Sequence, residues 1–229
     1  MPVSTPDLAP KENVARDLGT KPKTAVFVRA TPKGKRLCDI VGACALIILL
    51  LPLFVLVAAY IKCVSKGPVL FVQKRLGRGC DLFSIYKFRT MHVVQQGREA
   101  AHRQYLRELS QDGRLEKPNQ KSELIPGGKL LRRSSIDELP QLLNVLIGNM
   151  SLVGPRPDVL AQEDYEPWHL RRFEVVPGMT GLWQVSGKNS TTFNEMMELD
   201  IRYIDEQSLV LDISIVFRTF KVLLVENNE

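Results

Sequence analysis

The feature that most limits how this chain can fold is an apolar run, Ile40–Ile61, with a proline near its middle. At about 22 residues, the run is long enough to cross a bilayer core of about 30 Å as a single helix. Roughly forty residues, polar and containing several prolines and lysines, precede it, which is much longer than the basic leader of a signal peptide. We therefore expect the run to remain in the mature protein as a membrane element.

Basic residues on both sides of the run argue against a crossing helix, because crossing would export one strongly basic flank. They are Lys33, Lys35 and Arg36 before the run and Lys62, Lys66, Lys74, Arg75 and Arg78 after it. Pro52, which follows Leu51, removes a backbone donor and clashes with the preceding turn, so a bend is expected there. Each half would then measure about 16 Å, reaching roughly the bilayer midplane and returning. We predict a re-entrant hairpin at Leu51 and Pro52; a kinked single-pass anchor is the alternative.

Length, charge and cysteine content bound the class of protein. A chain of 229 residues suits one catalytic domain plus a membrane element, since two independent domains would both be small. The formal net charge of +6 favours an anionic membrane or a nucleic acid as partner and does not choose between them. The four cysteines form no C-x-x-C pair and the three histidines lie far apart, which disfavours a zinc site and fits a reducing cytoplasm.

Composition along the chain suggests three parts. Residues 1–33 contain five prolines among lysines and small polar residues, which predicts a mobile cytoplasmic tail. Residues 34–66 form the predicted re-entrant membrane helix, and residues 67–229 the catalytic domain. In that domain we expect an α+β fold, mainly helical with short strands. Strands are predicted at 68–75 and 82–89, and a long polar loop at 110–128. Helices are predicted at 98–109, 139–147, 159–173 and 193–206. The apolar segment at 209–225 fits the core and the membrane interface equally well.

Residues 132–157 carry the side chains best suited to chemistry. Asp137 and Glu138 are adjacent, and Arg132 and Arg133 precede them. Near a helix amino terminus, the dipole and these arginines favour ionised carboxylates, the form that holds Mg²⁺ or attacks phosphorus. A lone Asp-Glu pair would more often only cap a helix.

The start of that helix can be read in two ways. Ser135 and Glu138 have the spacing of a capping box. Pro140 has no N–H and fits best within the first helical turn, which favours a helix that begins near Asp137.

Four cations could supply the positive field that a diphosphate requires. Lys87 and Arg89 belong to the predicted second strand, and Arg132 and Arg156 flank the acidic pair. Arginine offers planar two-point hydrogen bonding to phosphate, although each of these residues alone could be a solvated surface charge. The turn Pro155–Pro157 fixes the backbone on both sides of Arg156, which lowers the entropy lost when that side chain meets a ligand.

Four motifs, in this order, make the chain from about residue 35 to residue 225 resemble the bacterial sugar transferases, the monotopic phosphoglycosyl transferases that begin glycan assembly. They read KRLCDIVGACALIILLLP, GPVLFVQKRLGRGCDLFSIYKFRTM, LRRSSIDELPQLLNVLIGNMSLVGPRP and PGMTGLWQVSGKN. The resemblance implies a re-entrant helix in the cytoplasmic leaflet of the bacterial inner membrane. It also implies a catalytic domain of mixed helices and short strands on the cytoplasmic face, with amphipathic helices at the interface.

The resemblance also implies a reaction. Asp137 would be the nucleophile that attacks a UDP-sugar, releasing UMP, and undecaprenyl phosphate would then take the phosphosugar. Glu138 would assist with the proton and, together with Asp137, with a Mg²⁺ cofactor. Arg156 in its Pro155–Pro157 turn, Arg132 and Lys87 would contact the nucleotide and the phosphates.

Two departures from the family pattern stand out. Many members break the membrane helix at Ser-Pro, whereas this chain has Leu51-Pro52 and no hydroxyl to satisfy the freed carbonyl. Members often have Trp-Ser where this chain has Gln207-Ser208, which removes an interfacial anchor. The larger members carry additional transmembrane helices before this domain, so the chain is similar to the minimal form.

Three functions are therefore weighed. Transfer of a sugar phosphate is favoured, with UDP-glucose or UDP-galactose as donor, undecaprenyl phosphate as acceptor and inner-membrane lipids as surroundings; a homodimer is left open. The second is a non-catalytic membrane-surface scaffold of the polysaccharide assembly machinery, which would not need the Asp-Glu pair. The third is a nucleic-acid binder, and we expect no nucleic-acid partner because the charge flanks an apolar segment and no recognition motif appears.

Overall fold

The computed structural model describes residues 25–92, 124–187 and 191–226. The α-helices are α1 (Lys33–Val64), α2 (Gly128–Arg133), α3 (Gln141–Ile147), α4 (Phe193–Asp205) and α5 (Leu209–Glu226). The strands are β1 (Leu70–Leu76), β2 (Leu82–Phe88), β3 (Ser151–Val153) and β4 (Gly178–Thr180). Short 3₁₀ turns occur at Arg78–Cys80, Ile136–Glu138, Gln162–Asp164, His169–Glu174 and Trp183–Val185. This is the predicted mainly helical α+β class, with one long apolar helix near the amino terminus.

Helix α1 runs through Pro52 and buries one narrow stripe along its length. The buried residues are Lys35, Asp39, Ala43, Val57 and Ile61. Much of the remaining surface is apolar and exposed; Ile48 and Leu49 are each 73% exposed. Within the described residues, α1 is the one helix long and apolar enough to cross a membrane. So large an exposed apolar surface is typical of a protein that meets a membrane or a partner. The re-entrant hairpin at Leu51 and Pro52 stays a prediction.

Polar contacts attach the first turns of α1 to the rest of the molecule. The Lys35 ammonium donates to the Val153 carbonyl at 2.9 Å and to the Asp212 carboxylate at 2.7 Å. Asp39 Oδ1 accepts from the Ser151 hydroxyl at 2.9 Å. Because buried charges are tolerated only when they are paired or hydrogen-bonded, these contacts fix the helix against β3 and α5.

The last turns of α1 pack on the same body through apolar side chains. Val57 and Ile61 form a cluster with Phe88 at the end of β2, Ile125 and Leu131 of α2. Both ends of the 32-residue helix therefore contact the domain that the strands and shorter helices build.

Strands β1 and β2 form the predicted antiparallel hairpin. Their register pairs Leu70 with Phe88 and Leu76 with Leu82. The connecting turn includes Gly79 with φ of 68°, a left-handed conformation that glycine adopts without steric cost. The prediction of two strands around this turn is confirmed.

Strands β3 and β4 bring two separate motifs together. They pair in parallel, with Ser151 opposite Gly178 and Val153 opposite Thr180. A Cβ on Gly178 would collide with the backbone of Gly154, so these two segments of the chain approach more closely than a side chain would allow. The turn that contains Pro155–Pro157 is thereby held against the segment that begins at Pro177.

The predicted helices have mixed outcomes. Those at 139–147 and 193–206 are confirmed as α3 and α4, apart from a residue or two at their ends. The helix predicted at 159–173 is wrong: the structure has only 3₁₀ turns, Gln162–Asp164 and His169–Glu174. Pro167 explains the error, because proline disfavours helical backbone in the residue before it and supplies no N–H.

The terminal segments complete the fold. In α5, Ile215 is fully buried while Val210 is 79% exposed, so the helix faces the core on one side and presents an apolar face on the other. Residues 25–32, which we assigned to the tail, hold fixed contacts through Arg29, whose Nε lies 2.7 Å from the Glu174 carboxylate. The predicted helix at 98–109, residues 110–123 of the loop predicted at 110–128, and residues 1–24 of the tail lie outside the described residues; the described end of that loop leads into α2.

Candidate active site

The acidic pair lies in the 3₁₀ turn Ile136–Glu138, between α2 and α3. Ser135 has φ of 56°, a left-handed conformation that costs a non-glycine residue about 1 kcal/mol. The Ser135 side chain caps nothing, and α3 begins only at Gln141. The predicted helix start near Asp137 is therefore wrong, and the capping box is not formed. The left-handed residue instead turns the chain so that Asp137 and Glu138 point into the domain.

Glu138 bridges two cations from distant parts of the sequence. Its Oε1 accepts from the Lys87 ammonium at 2.7 Å and from Arg156 NH2 at 2.6 Å, and its Oε2 accepts from Arg156 NH1 at 3.3 Å. Burial raises the pKa of this carboxyl, but the charges of Arg156 and Lys87 outweigh burial and hold the pKa below its usual range. Glu138 is therefore ionised and fixed in position.

Asp137 has a different environment although it is the next residue. Its side chain is buried, and the hydrogen bonds of Lys87 and Arg156 go to Glu138 instead. Burial first, and then the charge of Glu138, raise the pKa of Asp137 to about 6. Contrary to the expectation from its flanking arginines, the carboxyl is thus not strongly held in its ionised form. Its oxygens are the ones left to meet a ligand.

The Pro155–Pro157 turn is held by contacts to its backbone. Arg172 NH2 donates to the Arg156 carbonyl at 2.6 Å and to the Asp200 carboxylate at 2.8 Å. The side chains of Arg172 and Asp200 are each 2% exposed, so this ion pair is shut off from solvent. A backbone hydrogen bond from β4 to the Pro155 carbonyl, 2.8 Å long, holds the other side of the turn. The position of Arg156 is therefore set by the fold before any ligand binds.

Two of the predicted substrate-binding residues make other contacts. Arg132 Nε donates to the Thr90 hydroxyl at 2.9 Å, while its charge still acts on Asp137. Arg89 is buried, and its guanidinium makes four hydrogen bonds to residues 65–68, just after α1. The structure thus brings Lys87, Asp137, Glu138 and Arg156 together, with Arg132 beside them. Arg89 instead holds the segment that follows α1.

The carboxylates of Asp137 and Glu138 suit a Mg²⁺ ion that is held jointly by the protein and the substrate phosphates. No group of three or more His, Cys, Asp or Glu side chains that could enclose a metal occurs among the described residues. Mg²⁺ in phosphoryl transfer is usually held by one or two carboxylates together with substrate phosphates. Asp137 and Glu138 offer two adjacent carboxylates of this kind.

Sequence reasoning missed two groups of residues around this cluster. Arg172, paired with Asp200, holds the backbone of Arg156. No sequence pattern distinguishes Arg172 from its neighbour Arg171, which is partly exposed. Arg75 lies in β1 on the same face of the hairpin as Lys87, because strand residues alternate and Lys87 pairs with Phe71. A correct prediction of the β1–β2 register would have placed Arg75 on the same face as Lys87.

A family model described as bacterial sugar transferase matches residues 30–226, which include every residue of the candidate site. A UDP-glucose:undecaprenyl-phosphate glucose-1-phosphate transferase of Caulobacter vibrioides is 42% identical, over 97% of this chain and 80% of that protein. The chain belongs to the bacterial sugar transferase family.

Other relatives in this family differ in length. The exopolysaccharide production protein ExoY of Rhizobium meliloti is 36% identical over 81% of this chain and 83% of its own length. An Aeromonas hydrophila enzyme, UDP-N-acetylgalactosamine-undecaprenyl-phosphate N-acetylgalactosaminephosphotransferase, is 40% identical over 83% of this chain and 43% of its own length. The region shared with the longer sugar transferase is thus less than half of that protein.

Proposed function

We propose that this chain transfers a sugar 1-phosphate from a UDP-sugar to undecaprenyl phosphate, with release of UMP, as the first step of exopolysaccharide or O-antigen glycan assembly. Family membership and the names of its relatives support this reaction. The structure supports it through the cluster of Asp137 and Glu138 with Lys87 and Arg156, which two of the four family motifs supply. UDP-glucose and UDP-galactose are the proposed donors.

The proposed chemistry has two displacements at one phosphorus. In the first, a carboxylate oxygen of Asp137 forms a bond to the sugar-bearing phosphorus as the bond from that phosphorus to the bridging oxygen breaks, and UMP leaves with that oxygen. In the second, an oxygen of undecaprenyl phosphate attacks the same phosphorus and the Asp137 carboxylate is released. Dividing one transfer into two in-line steps lets the water-soluble donor and the lipid acceptor bind in turn.

The neighbours of Asp137 have separate tasks in this scheme. Lys87 and Arg156 offset the negative charge of the diphosphate and of the departing UMP, and the rigid Pro155–Pro157 turn keeps Arg156 in place. Glu138 holds both cations, since its carboxylate accepts hydrogen bonds from each. Asp137 and Glu138 would hold Mg²⁺, which when bound neutralises phosphate charge.

We also propose that α1 enters the membrane as a re-entrant element at Leu51 and Pro52, with the domain on the cytoplasmic face of the inner membrane. A helix that crosses a bilayer leaves its ends on opposite sides. Both ends of α1 contact the same body, through Lys35 and through Ile61, which supports an element that enters and returns. Arg89, tied to the 65–68 segment, would then fix the exit of the chain close to the site.

The test is an assay of UMP release. Purified protein in detergent is incubated with Mg²⁺, undecaprenyl phosphate and a panel of UDP-sugars. Release with one sugar, dependent on the lipid for continued turnover, is expected. Well-folded protein that releases no UMP with any sugar would reject the proposal and favour the membrane-surface scaffold.

A further inference from the structure

Arg75 in β1 is a cation that the site described so far leaves unexplained. Its Nε atom is shut off from solvent and has no hydrogen-bond partner; among the described residues it is the only buried side-chain nitrogen in this condition. The guanidinium makes one hydrogen bond, from NH2 to the Gln73 side-chain oxygen at 2.6 Å. The residue as a whole is partly exposed, so a ligand can reach it.

Two buried arginines of this domain, Arg89 and Arg172, make several hydrogen bonds each. Arg89 makes four hydrogen bonds, and the guanidinium of Arg172 also makes four. Both tie separate segments together, as structural arginines do. A structural role for Arg75 would predict the same, because leaving a buried charged donor unpaired costs free energy.

The charges nearest Arg75 do not supply the missing partner. The acidic groups that act on it are Asp158 and Glu138. The Asp158 carboxylate interacts with Arg172 at 3.4 Å and with the backbone N–H of Val159 at 2.8 Å, and Glu138 is held by its own two cations. Burial, opposed by the charge of Asp158, lowers the pKa of Arg75 to about 10, which is still high enough for the guanidinium to be charged at neutral pH.

The surroundings of Arg75 carry an excess of positive charge. Lys87 and Arg156 share the single carboxylate of Glu138, and Arg75 adds a third cation to the same electrostatic neighbourhood. Asp158 also acts on Arg75 but is hydrogen-bonded to Arg172, so the three cations still exceed the carboxylates and favour a negatively charged ligand. A planar guanidinium with free donors is suited to phosphate oxygens, which it can bind at two points.

We propose that Arg75 is a phosphate-binding residue of the active site, held by Gln73 and completed by an oxygen of a substrate phosphate. This inference rests on the proposed function, which supplies two phosphate groups: the diphosphate of the nucleotide sugar and the phosphate of the lipid acceptor. Both have the same chemistry at the guanidinium, and the experiment separates them.

The experiment compares Arg75→Met and Arg75→Lys with the wild type, and uses Arg78→Met as the matched control. Arg78 is an exposed arginine three residues further along the same hairpin. Each protein is titrated with UDP by calorimetry, the KM values for UDP-sugar and for undecaprenyl phosphate are measured, and Tm is recorded without ligand.

Arg75→Met should weaken binding of one phosphate ligand by about 10- to 100-fold, which is the usual effect of losing hydrogen bonds to a charged group. Weaker UDP binding with a higher KM for UDP-sugar identifies the diphosphate; a higher KM for the lipid alone identifies the acceptor. The Tm without ligand should not fall, because an unpaired donor is removed. Arg75→Lys keeps the charge, so its affinity for that ligand should lie between those of the wild type and Arg75→Met. The affinities of Arg78→Met should match those of the wild type.

Two results would overturn the inference. One is unchanged affinity for UDP and for both substrates; the other is a clearly lower Tm without ligand, which indicates a structural role. Should Arg75→Met fail to fold, Arg75→Lys is judged by the same two criteria. The wild type in the same assay tests the proposed function separately: no turnover by the wild type rejects that function, whereas UDP binding that depends on Arg75 still supports the phosphate site.

Discussion

Asp137 and Glu138 are neighbours in sequence and differ in their contacts and in the direction of their pKa shifts. Glu138 is ionised and held by Lys87 and Arg156, so it organises charge. Asp137 receives neither of those hydrogen bonds, and its pKa is raised to about 6. A nucleophile needs a carboxylate whose oxygens are free to form a bond, and only Asp137 fits that description.

Asp137→Asn should lower UMP release by at least about a thousandfold, because the amide cannot form the proposed bond to phosphorus. Folding should be unaffected or slightly improved. Since the folded state raises the pKa of Asp137, its charged form is disfavoured there at neutral pH, and a neutral side chain of the same shape removes that cost. Turnover and Tm measured on the same preparation check both parts. A loss of only two- or threefold would contradict the assignment of the nucleophile.

Glu138→Gln tests the second carboxylate. It leaves Lys87 and Arg156 without their shared anion, so we expect a loss of roughly 1–3 kcal/mol in the free energy of unfolding and a Tm lower by a few degrees. Because the folded state lowers the pKa of Glu138, the stabilisation is present at neutral pH and is lost as the solution is made acidic. The difference in Tm between the two proteins should therefore shrink at low pH; a constant difference would contradict the ion-pair account.

Individual elements place this cluster. The 3₁₀ turn Ile136–Glu138, the end of β2 and the turn after β3 each contribute one part, and Arg172 links the last of these to α4 through Asp200. The geometry of the site therefore depends on a residue that need not touch substrate. Arg172 is a positioning residue in this account.

Arg172→Met should destabilise the protein by ~3 kcal/mol or more, because Asp200 is left charged and buried. The double variant Arg172→Met, Asp200→Leu replaces the pair by apolar groups and should recover much of that stability. It should not recover activity, because the Arg156 carbonyl still lacks its donor. Denaturation and kinetics of the three proteins check this, and full recovery of kcat in the double variant would show that Arg172 does not position Arg156.

The proposed re-entrant path of α1 can be tested with native residues. Cys38 and Cys63 are exposed thiols near the two ends of the helix. In variants that retain one of them, a membrane-impermeant maleimide should label each thiol in inverted inner-membrane vesicles and neither in spheroplasts. A single-pass helix would place the two thiols on opposite sides, so labelling of one of them in spheroplasts would contradict the re-entrant element.

At the scale of the whole molecule, local patterns predicted what local chemistry determines. The hairpin β1–β2 followed from β-branched and aromatic residues around two glycines, and α3 and α4 from helical residue patterns; the capping box of Thr192 and Glu195 at the start of α4 was not predicted. The acidic pair and Arg156 were identified by residue type. None of these patterns fixed which side chains meet.

The remainder depends on contacts between residues far apart in sequence. The parallel pairing of β3 with β4 joins segments separated by more than twenty residues and leaves no local signal. Burial of Arg172, and the raised pKa of Asp137, follow from the packing around them. The helical composition of residues 159–173 led to a wrong prediction, because Pro167 prevents a continuous helix there.

In the proposed reaction Asp137 carries the phosphosugar between donor and acceptor. The most direct measurement is the intact mass of the protein after brief incubation with Mg²⁺ and the UDP-sugar it uses, without undecaprenyl phosphate, followed by acid quench and peptide mapping. We predict an added mass of one sugar 1-phosphate minus water, located on Asp137, absent in Asp137→Asn and lost on addition of undecaprenyl phosphate. UMP release at the normal rate with no adduct, or an adduct on another residue, would contradict the account.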